Sequence, residues 1–377
     1  MKKYLFSFAV MMMGTALLTG CLSSNDDKND INNVEVIVTE GALVLNNGSS
    51  YSGINGSLTY IDYMTETAKE VNVSLGGTPN DVFVYGDKVY IAGSDENTIF
   101  VLNRKDFSLI TRLSTVTSMG DAEGVMPRHL AGYADKVYFS TYGGYVGVID
   151  TLSMSITGKI QVGSYPEGMS VGLRDDVPFL YVANSDYGNG NGSISVINLS
   201  TRAVTELKNE KIRNPQEIAV AGETVYVLDW GYYDENYNQK EAGIYVISGS
   251  SVTKLIPDAT GMAAAGYYIY TFNSPFGSAS INYSIYNLTY NYVSSFSFSG
   301  DSSAPLISPA AISVDPNTGY LLVATRPLDP DTGYPSYTTP GYVNLYKSNG
   351  EFYKSFPVGV EPHAITYTYK AVKASEL

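Results

Sequence analysis

The chain has 377 residues and a formal charge of −14, from 37 acidic against 23 basic side chains, with only 16% charged residues. Such a surface repels a phosphate backbone, and a single cysteine can form neither an internal disulfide, a cysteine zinc site nor a CxxC redox pair, so nucleic-acid binding and thiol chemistry fall away. With 44% hydrophobic residues, 33 Tyr and 36 Gly, the chain is too apolar to be disordered and has the Tyr-, Val- and Gly-rich balance of β structure.

From the N-terminus, Lys2 and Lys3 precede an apolar run over residues 5–18. This is the n-region and h-region of a secretory signal, too short for a membrane span. The run ends in Leu18-Thr19-Gly20-Cys21, which resembles a bacterial lipobox. Residues 1–20 are then a lipoprotein signal peptide and Cys21 is the lipidated N-terminus. The alternative is an ordinary cleavage site with an incidental cysteine. Residues 21–33 are polar, acidic and without periodicity, and read as a flexible tether. An acidic tract directly after the lipidated cysteine resembles the export signal of surface-exposed lipoproteins of the Bacteroidota. The expected location is therefore the outer membrane, facing out of the cell and touching the membrane through the lipid alone.

The body of the chain is repetitive. Prolines at 79, 127, 166, 215, 309 and 362, with a degenerate copy at Met262, each open an apolar stretch followed by a Gly/Asp turn and a Val-Tyr strand, at intervals of about 47 residues. Pro79-Asn-Asp-Val-Phe-Val-Tyr-Gly-Asp-Lys-Val-Tyr-Ile91 and Pro127-Arg-His-Leu-Ala-Gly-Tyr-Ala-Asp-Lys-Val-Tyr-Phe139 show the pattern clearly. Each copy has room for four strands, the pattern of a β-propeller. The last copy holds one strand, and residues 34–78 hold three more. Joined, they make a seventh blade and close the ring. The expected fold is all-β, a seven-bladed propeller over residues 34–370 with a tail at 371–377. A two-domain β-sandwich is the competing architecture, but it needs no near-constant period.

In a propeller, the loops entering the innermost strands and the loops between second and third strands share a face. Along the first set, the residues after the prolines are Asn80, Arg128, Glu167, Gln216, Ala310 and His363, chemically unlike within one scaffold, and His129 follows Arg128. Such variation suits recognition at a channel mouth; drift at solvated loop tips would give the same pattern. The second loop set is long and aromatic and carries Tyr142, Tyr187, Trp230, Tyr232, Tyr233, Phe276, Arg326, Tyr334 and Tyr337. Tyr and Trp with Asn, Gly and Ser make a paratope-like surface of rigid amphipathic area and adaptable hydrogen bonding. These residues, with the first set except Ala310, are the candidate ligand contacts.

Catalytic signatures are weak. His129 and His363 are the only histidines, and no Gly-x-Ser-x-Gly elbow, P-loop or HExxH occurs. No catalytic residue and no metal ligand is assigned, and no cofactor is expected. Asp186, Asn189 and Asn191 have calcium-like spacing without the full loop pattern, so a plain turn is the simpler reading. Asp150-Thr151-Leu152 resembles a short O-glycosylation motif of the same bacteria, a three-residue signal at Thr151.

The repeats with Pro, Val-Tyr-Val and Ile-Asp resemble the YncE-like seven-bladed propellers, and within them surface lipoproteins of the Bacteroidota. The residues carrying this are Tyr51-Ser-Gly-Ile-Asn-Gly-Ser-Leu-Thr-Tyr-Ile-Asp62, Asp315-Pro-Asn-Thr-Gly-Tyr-Leu-Leu-Val-Ala324, Gly341-Tyr-Val-Asn-Leu-Tyr-Lys-Ser-Asn-Gly-Glu-Phe352 and Phe356-Pro-Val-Gly-Val-Glu-Pro-His363. The group includes the cobalamin-capturing BtuG-like lipoproteins, which hand vitamin B12 to an outer-membrane TonB-dependent transporter. The resemblance thus implies a non-enzymatic protein that captures a small molecule, cobalamin first, and passes it to such a transporter. A protein- or glycan-binding propeller without a small ligand is the alternative, and a lactonase-like hydrolase with a metal in the channel is a third possibility.

Overall fold

A computed structural model describes residues 35–221, 223–249, 251–274, 281–299 and 304–373. The signal, Cys21, the tether and Phe276 lie outside these residues. The chain forms seven four-stranded antiparallel sheets arranged as a seven-bladed β-propeller, together with one two-stranded hairpin. Their innermost strands are Pro79–Tyr85, Pro127–Tyr133, Pro166–Arg174, Pro215–Ala221, Gly261–Ala265, Pro309–Val314 and Pro362–Lys373. These open blades 1 to 7 in that order. Blade 7 takes its other three strands from the N-terminal side: Glu35–Asn46, Ser57–Asp62 and Thr67–Val71.

The ring is held by cores between blades rather than by one central core. Each second strand is buried on both faces, so its residues alternate between two neighbours. In Lys88–Gly93, Val89 and Ile91 pack against blade 7, while Tyr90 and Ala92 pack against blade 2. Leu43 and Leu45 likewise face blade 1, and Ala42 and Val44 face blade 6. Ring closure therefore rests on Ala42–Leu45 alternating between two clusters. The last strand runs to Lys373, three residues past the expected end of the propeller, because Glu35, Val36 and Ile37 pair with Lys373, Val372 and Ala371.

The recurrent Asp or Asn that closes a strand, often after an Ile, has a local cause. It ends the third strand at Asp62, Asn103, Asp150, Asn198 and Asn287, where its side-chain oxygen accepts backbone N–H groups two or three residues on. Four residues on, Glu66, Phe107, Met154, Arg202 and Asn291 all have positive φ. The same turn is thus repeated in five blades, with the Asx side chain standing in for a backbone acceptor.

The prolines mark another recurrent device. Directly after Pro79, Pro127, Pro166, Pro215 and Pro309, and again at Pro362, the register of the innermost strand shifts. The residues expected at the channel mouth are therefore β-bulge residues, which re-aim side chains out of the ladder. Blade 5 has no proline and no shift: Gly261 to Ala265 pair without interruption. The degenerate copy is a complete blade with a smooth inner strand.

Candidate functional site at the channel mouth

All seven innermost strands line one cavity of about 520 Å³. Asn80, Arg128, His129, Gln216 and His363 reach it from the bulged positions, and Trp230, Tyr233 and Arg326 from the second loop set. The two loop sets do share a face. The cavity has two unlike sides. Blades 7, 1 and 2 contribute most of the polar groups, His363, Asn80, Asp81, Arg128 and His129, beside Leu130, Ala364 and Ile365, whereas blades 5 and 6 contribute mainly small apolar residues such as Met262, Ala263, Ala264 and Ala310, interrupted by Ser274, Ser313 and Arg326.

The polar side is organised by Glu167, buried at 3% exposure. Its carboxylate accepts from Arg128 Nε at 2.9 Å and from the Tyr142 hydroxyl at 2.6 Å. The Arg128 guanidinium lies 4.6 Å from the centre of the Tyr142 ring. His129 sits between two carboxylates, Nδ1 being 3.8 Å from Asp81 Oδ2 and Nε2 3.8 Å from Glu167 Oε2. Both separations are beyond hydrogen-bond range. The bulged backbone is satisfied by side chains: Asn80 Nδ2 donates to Arg128 O at 2.9 Å, and the Ser94 and Ser140 hydroxyls donate to Pro127 O and Glu167 O.

The ionisable groups here are strongly perturbed. Burial pushes the Asp81 carboxyl up to about 7, against the pull of the Leu130 and Val82 amides it accepts from. Glu217 is raised to about 8 by burial and then by the charge of Asp81. Burial, with Arg128 and Arg326 nearby, lowers His363 to about 4. His129 falls well below the usual histidine value through burial, then the charges of Arg128 and His363. At neutral pH both rings are therefore neutral, able to donate and accept.

The rim repeats one arrangement three times. Arg128, Arg213 and Arg326 each pair with a glutamate (Glu167, Glu241, Glu361) and each lies over a tyrosine (Tyr142, Tyr232, Tyr337). Arg326 grips Glu361 with two bonds of 2.5 Å, which fixes the guanidinium plane. Glu361 has φ of 57°, and Thr78, Met126 and Tyr165, also directly before blade-opening prolines, have positive φ as well. Non-glycine residues rarely adopt this region, and its recurrence at the mouth is strain of the kind that collects at binding sites.

The other expected contacts are dispersed. Tyr142 and Tyr187 stand outside the cavity lining and form a three-ring cluster with Tyr165, centroids 5.1–6.2 Å apart. Tyr334 and Tyr337, 57% and 44% exposed, sit on the blade 6 loop outside the lining. Tyr232 and Tyr233 belong to a hairpin with Gln239–Lys240, and strand alternation separates them. Tyr233 faces the cavity, while Tyr232 lies under Arg213, which borders a separate depression. Trp230 is 39% exposed and its Nε1 donates to Thr260 O at 3.1 Å, which ties the ring to blade 5. Among the described residues, no group of three or more His, Cys, Asp or Glu side chains is placed to hold a metal ion.

Sequence reasoning missed Asp81 and Glu217. Both sit two residues after their proline, and the bulge at the intervening residue brings that position to the cavity as well. The acidic type recurring at proline +2 in two blades was the available signal.

Fold and site together define a seven-bladed β-propeller with a ligand-sized cavity at the mouth of its central channel. No protein-family model matches the chain, and no curated protein does. Among solved structures, it is similar to a candidate 6-phosphogluconolactonase from Bacteroides uniformis ATCC 8492, with 14% identity and a TM-score of 0.60 over 88% of this chain and 100% of that one. A second candidate 6-phosphogluconolactonase, from Bacteroides fragilis NCTC 9343, gives 13% identity and 0.57 over 91% and 100%. Kuenenia stuttgartiensis hydrazine synthase gives 16% and 0.55 over 78% and 90%. At these identities the likeness shows the fold.

Proposed function

We propose that this protein captures a small amphipathic molecule at the channel mouth and, held at the cell surface by the Cys21 lipid, passes it to a TonB-dependent transporter. One observation carries the reading: seven innermost strands converge on a single cavity with a hydrogen-bonding side and a small apolar side. Its volume, about 520 Å³, is within the roughly 300–1,000 Å³ of ordinary ligand sites. A corrinoid is too large to be enclosed there. In the cobalamin version its ring lies across the mouth, against Trp230 and Tyr233, with one edge entering the cavity.

Trp230 is the only tryptophan in the chain, so its emission reports the rim without background. Titrating lipid-free protein with cyanocobalamin should quench that emission saturably and make the two co-elute on a sizing column. A colourless protein peak at micromolar concentrations sinks the cobalamin version. Screening small amphiphiles by the same emission then tests the capture reading itself.

A hydrolytic reading is favoured by one feature, His129 between Asp81 and Glu167, and by the names of the two Bacteroides structures. It predicts turnover of 6-phosphogluconolactone that is lost in His129→Ala. Lack of turnover by the wild-type protein removes it for that substrate.

A further inference from the structure

The charged groups lining the cavity are nearly all balanced. Arg128 is paired with Glu167 at 2.9 Å and Arg326 with Glu361 at 2.5 Å. Asp81 accepts two backbone N–H groups, from Val82 and Leu130, each at 2.8 Å. His129 and His363 are neutral near pH 7. Glu217 stands apart: its backbone pairs with Leu228 in the ladder, but its side chain lines the cavity and makes no hydrogen bond or ion pair with any described residue. Its place is set by the backbone. Gly168 of blade 3 approaches so closely that a Cβ there would lie 2.9 Å from Glu217 Cα and 2.5 Å from Gln216 O. Trp230, Met262 and Ala263 line the same cavity, and Trp230 is pinned through Nε1 to Thr260.

A carboxyl group without a side-chain partner, in one cavity with a fixed indole and a small-residue apolar wall, matches one ligand chemistry, an ammonium on an apolar body. The carboxylate meets the charge, the indole face adds cation–π attraction, and the wall takes the hydrocarbon. We propose that the cavity recognises an organic cation, a substituted or quaternary ammonium, with Glu217 as its anchor. The inference rests on the capture reading above and narrows its ligand class.

A proton signature follows. Glu217 is held largely protonated near neutrality by burial and by Asp81, and a bound cation favours its ionised form, so binding releases a proton. The other charged or titratable groups facing the cavity are Asp81, Arg128, His129, Tyr233, Arg326 and His363. Both arginines are already paired, and both histidine rings are neutral across this range. Asp81, raised to about 7, titrates alongside Glu217 and would add to the same release.

The experiment uses benzyltrimethylammonium, with benzyl alcohol and benzoate as neutral and anionic probes on the same apolar body. Each is titrated at millimolar concentration against lipid-free protein, read by Trp230 emission and by calorimetry in two buffers of different ionisation enthalpy. The expected result is binding of the cation at least about tenfold tighter than the alcohol, with proton release at pH 7 and affinity rising to pH 9. Glu217→Gln, whose folding is checked by its thermal transition, should bind the cation about tenfold more weakly, with smaller release. If the alcohol or benzoate binds as well as the cation, the ammonium assignment is overturned while capture at the cavity stands. Lack of cation binding, or wild-type binding without proton release, overturns it too, whatever the Gln variant does, and the cyanocobalamin and amphiphile titrations judge the capture reading separately.

Discussion

Glu167 shows what a single buried charge does in this protein. Its two oxygens hold the Arg128 guanidinium and the Tyr142 hydroxyl, so one side chain orders the polar side of the cavity from behind. Removing it strands Arg128, only 18% exposed, without its counter-charge. Breaking one half of such a pair costs about 3 kcal/mol, so Glu167→Ala should lower the unfolding free energy in urea by about that much, whereas Tyr51→Ala, at a fully exposed ring, should change it by less than about 0.5 kcal/mol. Titration behaviour belongs to the same scale. Asp81 and Glu217 have folded values of about 7 and 8, above their ordinary values of 3.8 and 4.5. Their contribution to stability is therefore full below about pH 4 and lost as pH rises through 7 to 8. His129 and His363 are lowered, so theirs is present above about 6.5 and lost as pH falls toward 4. The thermal midpoint should peak in mildly acidic buffer. The decline on the alkaline side should shrink in the Asp81→Asn, Glu217→Gln double variant, and an unchanged decline would refute the assignment.

At the scale of the strand, the bulge after each proline turns a blade into a donor of site residues. In blade 1, recognition and scaffold separate within one strand: Asn80 and Asp81 meet the cavity, and Val82 packs between blades. The close approach at Gly168 ties blades 3 and 4 at this level. Gly168→Ala forces backbone apart where Cβ would lie 2.5 Å from Gln216 O. Overpacking of that kind costs about 1–3 kcal/mol. The variant should lose that stability in a denaturant series and weaken ligand quenching of Trp230, since Gln216 and Glu217 shift with the strand. Blade 5 is the counter-example. It lacks both proline and bulge, and its Gly261-Met-Ala-Ala-Ala265 strand supplies the apolar wall instead.

Across the whole molecule, stability is circular: each blade is buried only by its two neighbours. Blade 7 joins strands from both ends of the described chain, with the register running from Glu35↔Lys373 to Asn46↔Pro362. Truncation at Gly359 would remove an innermost strand and expose two inter-blade cores, those holding Tyr367 and Ala364. The truncated chain should lose the cooperative thermal transition and elute as aggregate. A cooperative, monomeric truncated form would show that the ring does not depend on this closure.

The blade count, the shared seventh blade and the placement of the two loop sets on one face were all legible in the sequence, because they depend on a local period and on strand alternation, which residue type records directly. Asn80, Arg128, His129, Gln216 and His363 were legible for the same reason, each lying at a fixed offset from a proline. What converges from separate blades was not. The pairing of Arg128 with Glu167, the grip of Arg326 on Glu361, the opposite facing of Tyr232 and Tyr233, and the isolation of Glu217 each depend on contacts across the ring or on the register of a short hairpin. No period encodes those distances. The chain alone thus determined a closed propeller with a variable mouth, and the tertiary structure decided which ionisable groups at that mouth are paired and which one is not, because pairing is a matter of ångströms between strands that sequence spacing does not set.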